Sequence, residues 1–168
     1  MDGALTSALL CTHSDRVVPA WIDYNGHMNV TYYVVLMDRA MDGFLAHVGI
    51  GDAYLKQQNK STFALDVRIC YRRELRVDMP VRCLSQLFDF DAKRFHVGHY
   101  VTHAEEGWTA AYSEWVGVHI DMATRKSAPM PPEATERLAA LHAIHRAIPR
   151  PAELDRPFGL GRAKTVPA

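Results

Sequence analysis

The apolar side chains of this sequence change period once, and that change constrains the fold more than any other feature. Val34, Met37, Met41, Phe44 and Val48 recur at spacings of three and four, with Leu45 alongside. The stripe predicts an amphipathic helix over residues 31–48, and Val35 and Leu36 widen its apolar surface, so it should be unusually enclosed. Gly49 and Gly51 end it. Residues 53–59 predict a further short helix, and Asn59-Lys60-Ser61 a turn. From Phe63 the period is two: Phe63, Leu65, Val67, Ile69 and Tyr71 alternate with Ala64, Asp66, Arg68, Cys70 and Arg72. Further strands are expected over 81–88, 94–103 and 109–121, with turns at 89–93 and 105–107. In the last strand the even positions Ala110, Tyr112, Glu114, Val116, Val118 and Ile120 are the more apolar set, so that face is expected to meet the core.

One enclosed helix followed by four strands on short turns predicts an α+β fold, an antiparallel sheet wrapped around a long central helix. Residues 1–15 read as an irregular lead-in and Arg16-Val17-Val18-Pro19 as a short strand stopped by the proline. Met130-Pro131-Pro132 opens a C-terminal helix from Glu133 to about Ala147, with Leu138, Leu141 and Ile148 inward. Pro, Gly and Arg dominate beyond it. Residues 1–148 are therefore expected to form one domain and 149–168 an extended tail.

Charge and cysteine content narrow the function classes. Nineteen Lys and Arg balance nineteen Asp and Glu, which gives no reason to expect a nucleic-acid partner, although local basic clusters could grip a phosphorylated small ligand. Cys11, Cys70 and Cys83 are odd in number and lack C-x-x-C spacing, which fits a reduced, cytoplasmic setting. No apolar run approaches the ~20 residues of a spanning helix, and the N-terminus lacks a signal peptide's basic region. No membrane partner is expected. His99 and His103 would share a strand face with His96 opposite, and His142 and His145 have no evident acidic or Cys partner, so no metal site is expected.

Ahead of the predicted helix runs Trp21-Ile22-Asp23-Tyr24-Asn25-Gly26-His27-Met28-Asn29. Asn-Gly favours a turn, because Gly tolerates positive φ and Asn nearly does. The segment aims one carboxylate, one imidazole and several backbone N–H groups at a small region beside a helix N-terminus, a place that favours negative charge.

This string, continued by Tyr32-Tyr33, resembles the Asp-x-x-Gly turn and central-helix start of hotdog-fold acyl-CoA thioesterases of the 4-hydroxybenzoyl-CoA thioesterase type. Tyr71-Arg72-Arg73-Glu74-Leu75 followed by Asp78 is similar to that family's second strand and exit turn, with Val77-Asp78 where Gly-Asp is usual. The resemblance covers roughly residues 15–121. Trp21 to Asn29, Asp91-Ala92-Lys93-Arg94 and His103-Ala104-Glu105-Glu106-Gly107-Trp108 look like the betainyl-CoA thioesterases associated with carnitine breakdown. The resemblance implies a hydrolase of short or small acyl-CoAs that needs no cofactor, coenzyme A being part of the substrate. It also implies a homodimer or homotetramer with sites at the dimer interface.

Thioester hydrolysis needs a group that delivers oxygen to the carbonyl carbon and donors that hold the oxyanion. By resemblance Asp23 is the first, as nucleophile or general base, and backbone N–H groups around Asn25 to Asn29 are the second. Asp23 read alone, without the resemblance, is a turn or N-cap carboxylate. His27 could donate to the thioester carbonyl or to Asp23, or bond within the turn. Asn29 reads as a helix cap that could orient the acid, and Gly26 answers backbone geometry. Glu114 could activate water or bind a cation, or be a satisfied structural pair. A betainyl group would need aromatic faces for its trimethylammonium, and Trp21, Tyr24, Tyr33, Trp108, Tyr112 and Trp115 form the pool. The expected substrate contacts are Tyr24, Asn25, Gly26, Met28, Asn29, Tyr33 and Trp115. Arg72, Arg73 and Arg94, with Lys93, are candidates for the CoA phosphates. A hotdog enoyl-CoA hydratase or dehydratase, and a non-catalytic acyl-CoA-binding module, are the alternatives.

Overall fold

The computed structural model describes residues 8–155. In chain order the elements are β1 (Leu10–Arg16), a 3-10 turn (Pro19–Trp21), α1 (Val30–Val48), α2 (Asp52–Gln58), β2 (Lys60–Tyr71), β3 (Pro80–Phe90), β4 (Arg94–His103), β5 (Thr109–Asp121), β6 (Lys126–Ser127) and α3 (Pro132–His145). The sheet is antiparallel throughout, in the order β1-β3-β4-β5-β2, with β6 extending β5. It curls around α1. This is the helix-in-sheet arrangement of the hotdog fold.

The N-terminal expectation is corrected. Residues 10–16 are a strand, and Pro19 opens a 3-10 turn where a strand was expected to stop. Leu10–Arg16 carries no clean alternation because it is an edge strand, specified by main-chain pairing with β3 rather than by a buried face.

Asn29 caps α1 by accepting from the Thr31 N–H at 2.9 Å, and Gly49, at φ 87°, ends it. The buried stripe is Tyr33, Leu36, Met37, Ala40, Phe44, Leu45 and Val48, with Val34 and Met41 on its flank. The seam is thus turned slightly from the one the hydropathy pattern suggests. Tyr33 can be buried because its hydroxyl has partners in the fold: it donates to the Arg73 carbonyl at 3.3 Å and accepts from the Leu75 N–H at 3.1 Å. Fully buried Leu36, Met37 and Phe44 each contribute about 1.5–3 kcal/mol by leaving water.

The face assignment of β5 is also corrected. The odd positions Ala111, Ser113, Trp115, Gly117 and His119 are buried toward the helix, whereas Tyr112, Glu114 and Val116 stand half-buried on the outer face. The inner face accepts its polar groups because each is paired. Ser113 takes the Trp115 indole N–H at 2.8 Å, and His119 meets the Tyr54 hydroxyl at 3.0 Å and the Ala128 carbonyl at 2.9 Å. Gly117 makes room for the Phe95 ring.

On the outer face of the sheet, Leu84 and Tyr100 form a second, smaller cluster with Leu9 and Ile148, against Tyr112. The chain beyond α3 is not a free tail as far as residue 155. Arg68 donates to the carbonyls of Glu153 and Leu154, Arg72 pairs with Glu153 at 2.8 Å, and Arg150 pairs with Glu114 at 2.8 Å. Leu154 is buried. Residues 149–155 therefore form a strap across the outer face, and the remainder of the expected tail lies outside the described residues, as do residues 1–7 of the lead-in. No helix among the described residues is long and apolar enough to cross a membrane.

Candidate active site

Between the 3-10 turn and α1 the chain makes a closed loop. Ile22 and Met28 form an isolated antiparallel bridge, with the Asp23 N–H on the His27 carbonyl at 3.1 Å and the Asn29 N–H on the Trp21 carbonyl at 2.8 Å. Inside it the Asp23 carboxylate accepts from the Asn25 N–H at 2.8 Å and from the Asn29 side-chain amide at 3.4 Å. Gly26 sits at φ +78°, with no atom within 4 Å of where a Cβ would stand, so its requirement is conformational.

The loop is stitched to the segment after β2. The Met28 N–H donates to the Leu75 carbonyl at 2.7 Å, and Leu75 in turn donates to Tyr33. These two bonds close a cavity of about 500 Å³ lined by Asp23, Tyr24, Asn25, His27, Met28, Asn29, Val30, Tyr33, Tyr71, Arg72, Arg73 and Glu74. Nine of the thirteen anticipated site residues line it. Gly26 shapes the turn beside it. Trp115, Glu114 and Arg94 are elsewhere: Trp115 lies in the core against a separate small cavity, and Glu114 lies on the outer face held by His96 at 3.0 Å and Arg150 at 2.8 Å. Arg94 is bound to Asp91 at 2.6 Å. Glu114 thus has the charged partners that its structural reading expects and does not line the Asp23 cavity.

Val30, Tyr71 and Glu74 line the cavity without having been singled out. Tyr71 ends the alternating run of β2, and its ring meets Tyr33 edge-on at 5.4 Å. Glu74 reaches the site only through the Met28–Leu75 bond, which no local pattern announces. Its carboxylate stands 3.8 Å from His27 Nε2 and 3.5 Å from Arg76. Burial pushes the Tyr33 hydroxyl above its ordinary range, opposed by the Leu75 N–H and reinforced by the Glu74 charge. Arg73 stacks over Trp108 at 4.2 Å, and Arg72 is fixed by Glu153.

The N–H groups of Asn25, Gly26, Met28 and Asn29 all have acceptors within the chain. The His27 N–H has none among the described residues, and Val30, the first residue of the helix, has no acceptor inside it. These two donors stand at the positive end of a 19-residue helix, beside a carboxylate. Such a pair can hold a developing oxyanion while the acid works on the carbonyl carbon. Among the described residues no group of three or more His, Cys, Asp or Glu side chains is placed to hold a metal ion.

A helix wrapped by an antiparallel sheet, with an acid-bearing loop at its N-terminus, defines a hotdog protein with a hydrolase-like site. Residues 17–138 match the model of the thioesterase-like superfamily, and the chain belongs to that family; it is a thioester hydrolase. It is 32% identical over 154 residues to the betainyl-CoA thioesterase of Pseudomonas aeruginosa, covering 92% of this chain and 97% of that one. Among solved structures it is similar to a Pseudomonas putida protein provisionally assigned as a thioesterase (30% identity, TM-score 0.75, 95% of this chain and 98% of that one). It also shares its fold with a Staphylococcus aureus protein in complex with CoA (23% identity, TM-score 0.83, 90% and 96%).

Proposed function

We propose that this enzyme hydrolyses an acyl-CoA to the free acid and CoA, with Asp23 delivering the oxygen. One observation carries the reading: Asp23, His27 and Val30 line the same cavity, and among the described residues the backbone N–H groups of His27 and Val30 have no acceptor in the chain. The thioester carbonyl oxygen takes those N–H groups as its oxyanion hole. Asp23 either attacks the carbonyl carbon, giving a mixed anhydride that water then opens, or removes a proton from the attacking water. In both routes the C–S bond breaks, the acyl carbon gains oxygen from water and the thiolate takes a proton. Neither route needs a cofactor. Arg72 and Arg73 on the rim suit the CoA phosphates.

The betainyl group is the finer reading, and it takes its support from the Pseudomonas aeruginosa relative. The working unit is a dimer or a tetramer of dimers. β2 is a sheet edge of 12 residues with Leu65, Val67 and Tyr71 exposed along it, an edge that a second copy would cover.

Thiol release across betainyl-, short straight-chain and aromatic acyl-CoAs tests the substrate class. Asp23→Asn should fold normally and lose at least about a hundredfold in kcat, the scale expected when an acid–base or nucleophilic group is removed. Turnover at the parent rate would remove Asp23 from its role. A single turnover in oxygen-18 water separates the routes, because label appearing first in the enzyme's carboxylate marks direct attack.

A further inference from the structure

The departing thiolate needs a proton, and Asp23 is poorly placed to give it. In the direct-attack route Asp23 is acylated and holds no proton when the C–S bond breaks. The Tyr33 hydroxyl, also at the cavity, is spent on the Arg73 carbonyl. His27 is different. Its ring has an acceptor at each nitrogen: Nδ1 lies 3.4 Å from the Met28 carbonyl, and Nε2 lies 3.8 Å from a carboxylate oxygen of Glu74. Carbonyl and carboxylate oxygens only accept, so both contacts are satisfied only when both nitrogens carry protons, as in the imidazolium. Catalytic contacts of this kind are commonly long until substrate tightens them.

Glu74 is held where it faces that ring. Leu75, the next residue, is fully buried, and both its main-chain groups are bonded, the N–H to Tyr33 and the carbonyl to Met28. One oxygen of the Glu74 carboxylate meets Arg76 at 3.5 Å, which leaves the other for His27. The Glu74 charge also reinforces the rise that burial imposes on the Tyr33 hydroxyl, so its field reaches into the cavity. The other charged groups there are engaged elsewhere. Asp23 accepts from Asn25 and Asn29, Arg72 pairs with Glu153, and Arg73 stacks on Trp108.

We propose that the His27 imidazole is the general acid of the reaction and that Glu74 is the residue that positions it. The assignment rests on Asp23 being the group that delivers oxygen. As the tetrahedral intermediate collapses, the C–S electron pair passes to sulfur, and sulfur takes the proton from His27 Nε2. The products of that step are the CoA thiol and a neutral imidazole. Water later gives up two protons in forming the carboxylate product: one restores the imidazolium and the other goes to solvent.

The test varies the leaving group. The acyl group turned over best in thiol release is placed on CoA, whose basic alkyl thiolate needs the acid, and on 4-nitrothiophenol, whose stable thiolate does not. His27→Gln keeps the main-chain N–H of the oxyanion hole. It should lower kcat on the CoA ester about a hundredfold and on the nitrothiophenyl ester less than about threefold. Glu74→Gln, at a side chain more than half exposed, leaves packing alone. It should lower kcat on the CoA ester about tenfold through a misplaced ring, spare the nitrothiophenyl ester, and add nothing to His27→Gln. Equal losses on the two esters in His27→Gln, or none on either, overturn the acid. A Glu74→Gln loss that is equal on both esters, or that persists on top of His27→Gln, overturns its action through His27. Asp23→Asn should lose both esters alike, and activity surviving there would instead break the reading of Asp23.

Discussion

Asn29 holds Asp23 with one end of its amide and the central helix with the other. Its Nδ2 donates to the Asp23 carboxylate at 3.4 Å, and its Oδ1 accepts from the Thr31 N–H at 2.9 Å. The acid is thereby positioned by the helix start whose dipole it shares. Replacing either end of the amide separates the two roles. Asn29→Asp keeps a good cap and should hold stability within about 0.5 kcal/mol, yet it sets a second carboxylate against Asp23 and should lower kcat at least about tenfold. Asn29→Ala should lose about 1 kcal/mol as well as activity. Chemical denaturation and steady-state kinetics on both variants check this; equal activity in Asn29→Asp and the parent would leave Asn29 as a cap alone.

Gly43 shows how tightly the helix and β1 are pressed together. A Cβ there would stand 2.1 Å from the Thr12 carbonyl oxygen, a backbone atom that cannot swing aside. Helix propensity alone favours Gly43→Ala by about 1 kcal/mol, but overpacking against β1 should win and cost about 3 kcal/mol. Gly26→Ala meets no atom and should cost only about 1 kcal/mol, from its positive φ. Thermal unfolding of the two variants should rank them in that order.

His99 sets an acid limit on stability. It is fully buried, its Nδ1 bonds Ser85 at 2.8 Å, its Nε2 has no partner among the described residues, and burial lowers its pKa to about 3. The unfolded chain binds a proton near pH 6.5 that the folded one refuses. Stability is thus complete above that pH and falls as pH drops toward 3, by up to about 1.4 kcal/mol per unit. Buried His145, also lowered by burial, acts in the same direction, so the measurement is the difference in pH slope between the parent and His99→Gln in urea titrations from pH 7.5 to 5. Parallel slopes would contradict the assignment.

Glu114 anchors the strap. Its carboxylate joins His96 on β4 to Arg150 beyond α3. Glu114→Gln should cost about 1–3 kcal/mol, the range for weakening a partly buried, charge-assisted bond, and should speed proteolysis around residues 149–155 while thiol release stays near the parent rate. A loss of kcat comparable to that of Asp23→Asn would return Glu114 to the chemistry.

The sequence by itself determined the parts that local physics specifies. The period of 3.6 gave α1, the period of two gave β2, and β4 and β5 fell on the residues expected of them. Asn29 was legible as a cap and Asn25-Gly26 as a turn, because capping and positive φ depend on near neighbours. Tertiary structure decided what depends on partners distant in the chain. β1 exists through pairing with β3. The inner face of β5 is the more polar one because Ser113 and His119 find partners there. Glu74 joins the site through one bond from Met28 to Leu75, Glu114 leaves it for an arginine 36 residues away, and residues 149–155 become a strap. A hydropathy pattern records which side chains avoid water; which polar groups are satisfied in the interior is settled only when distant segments meet.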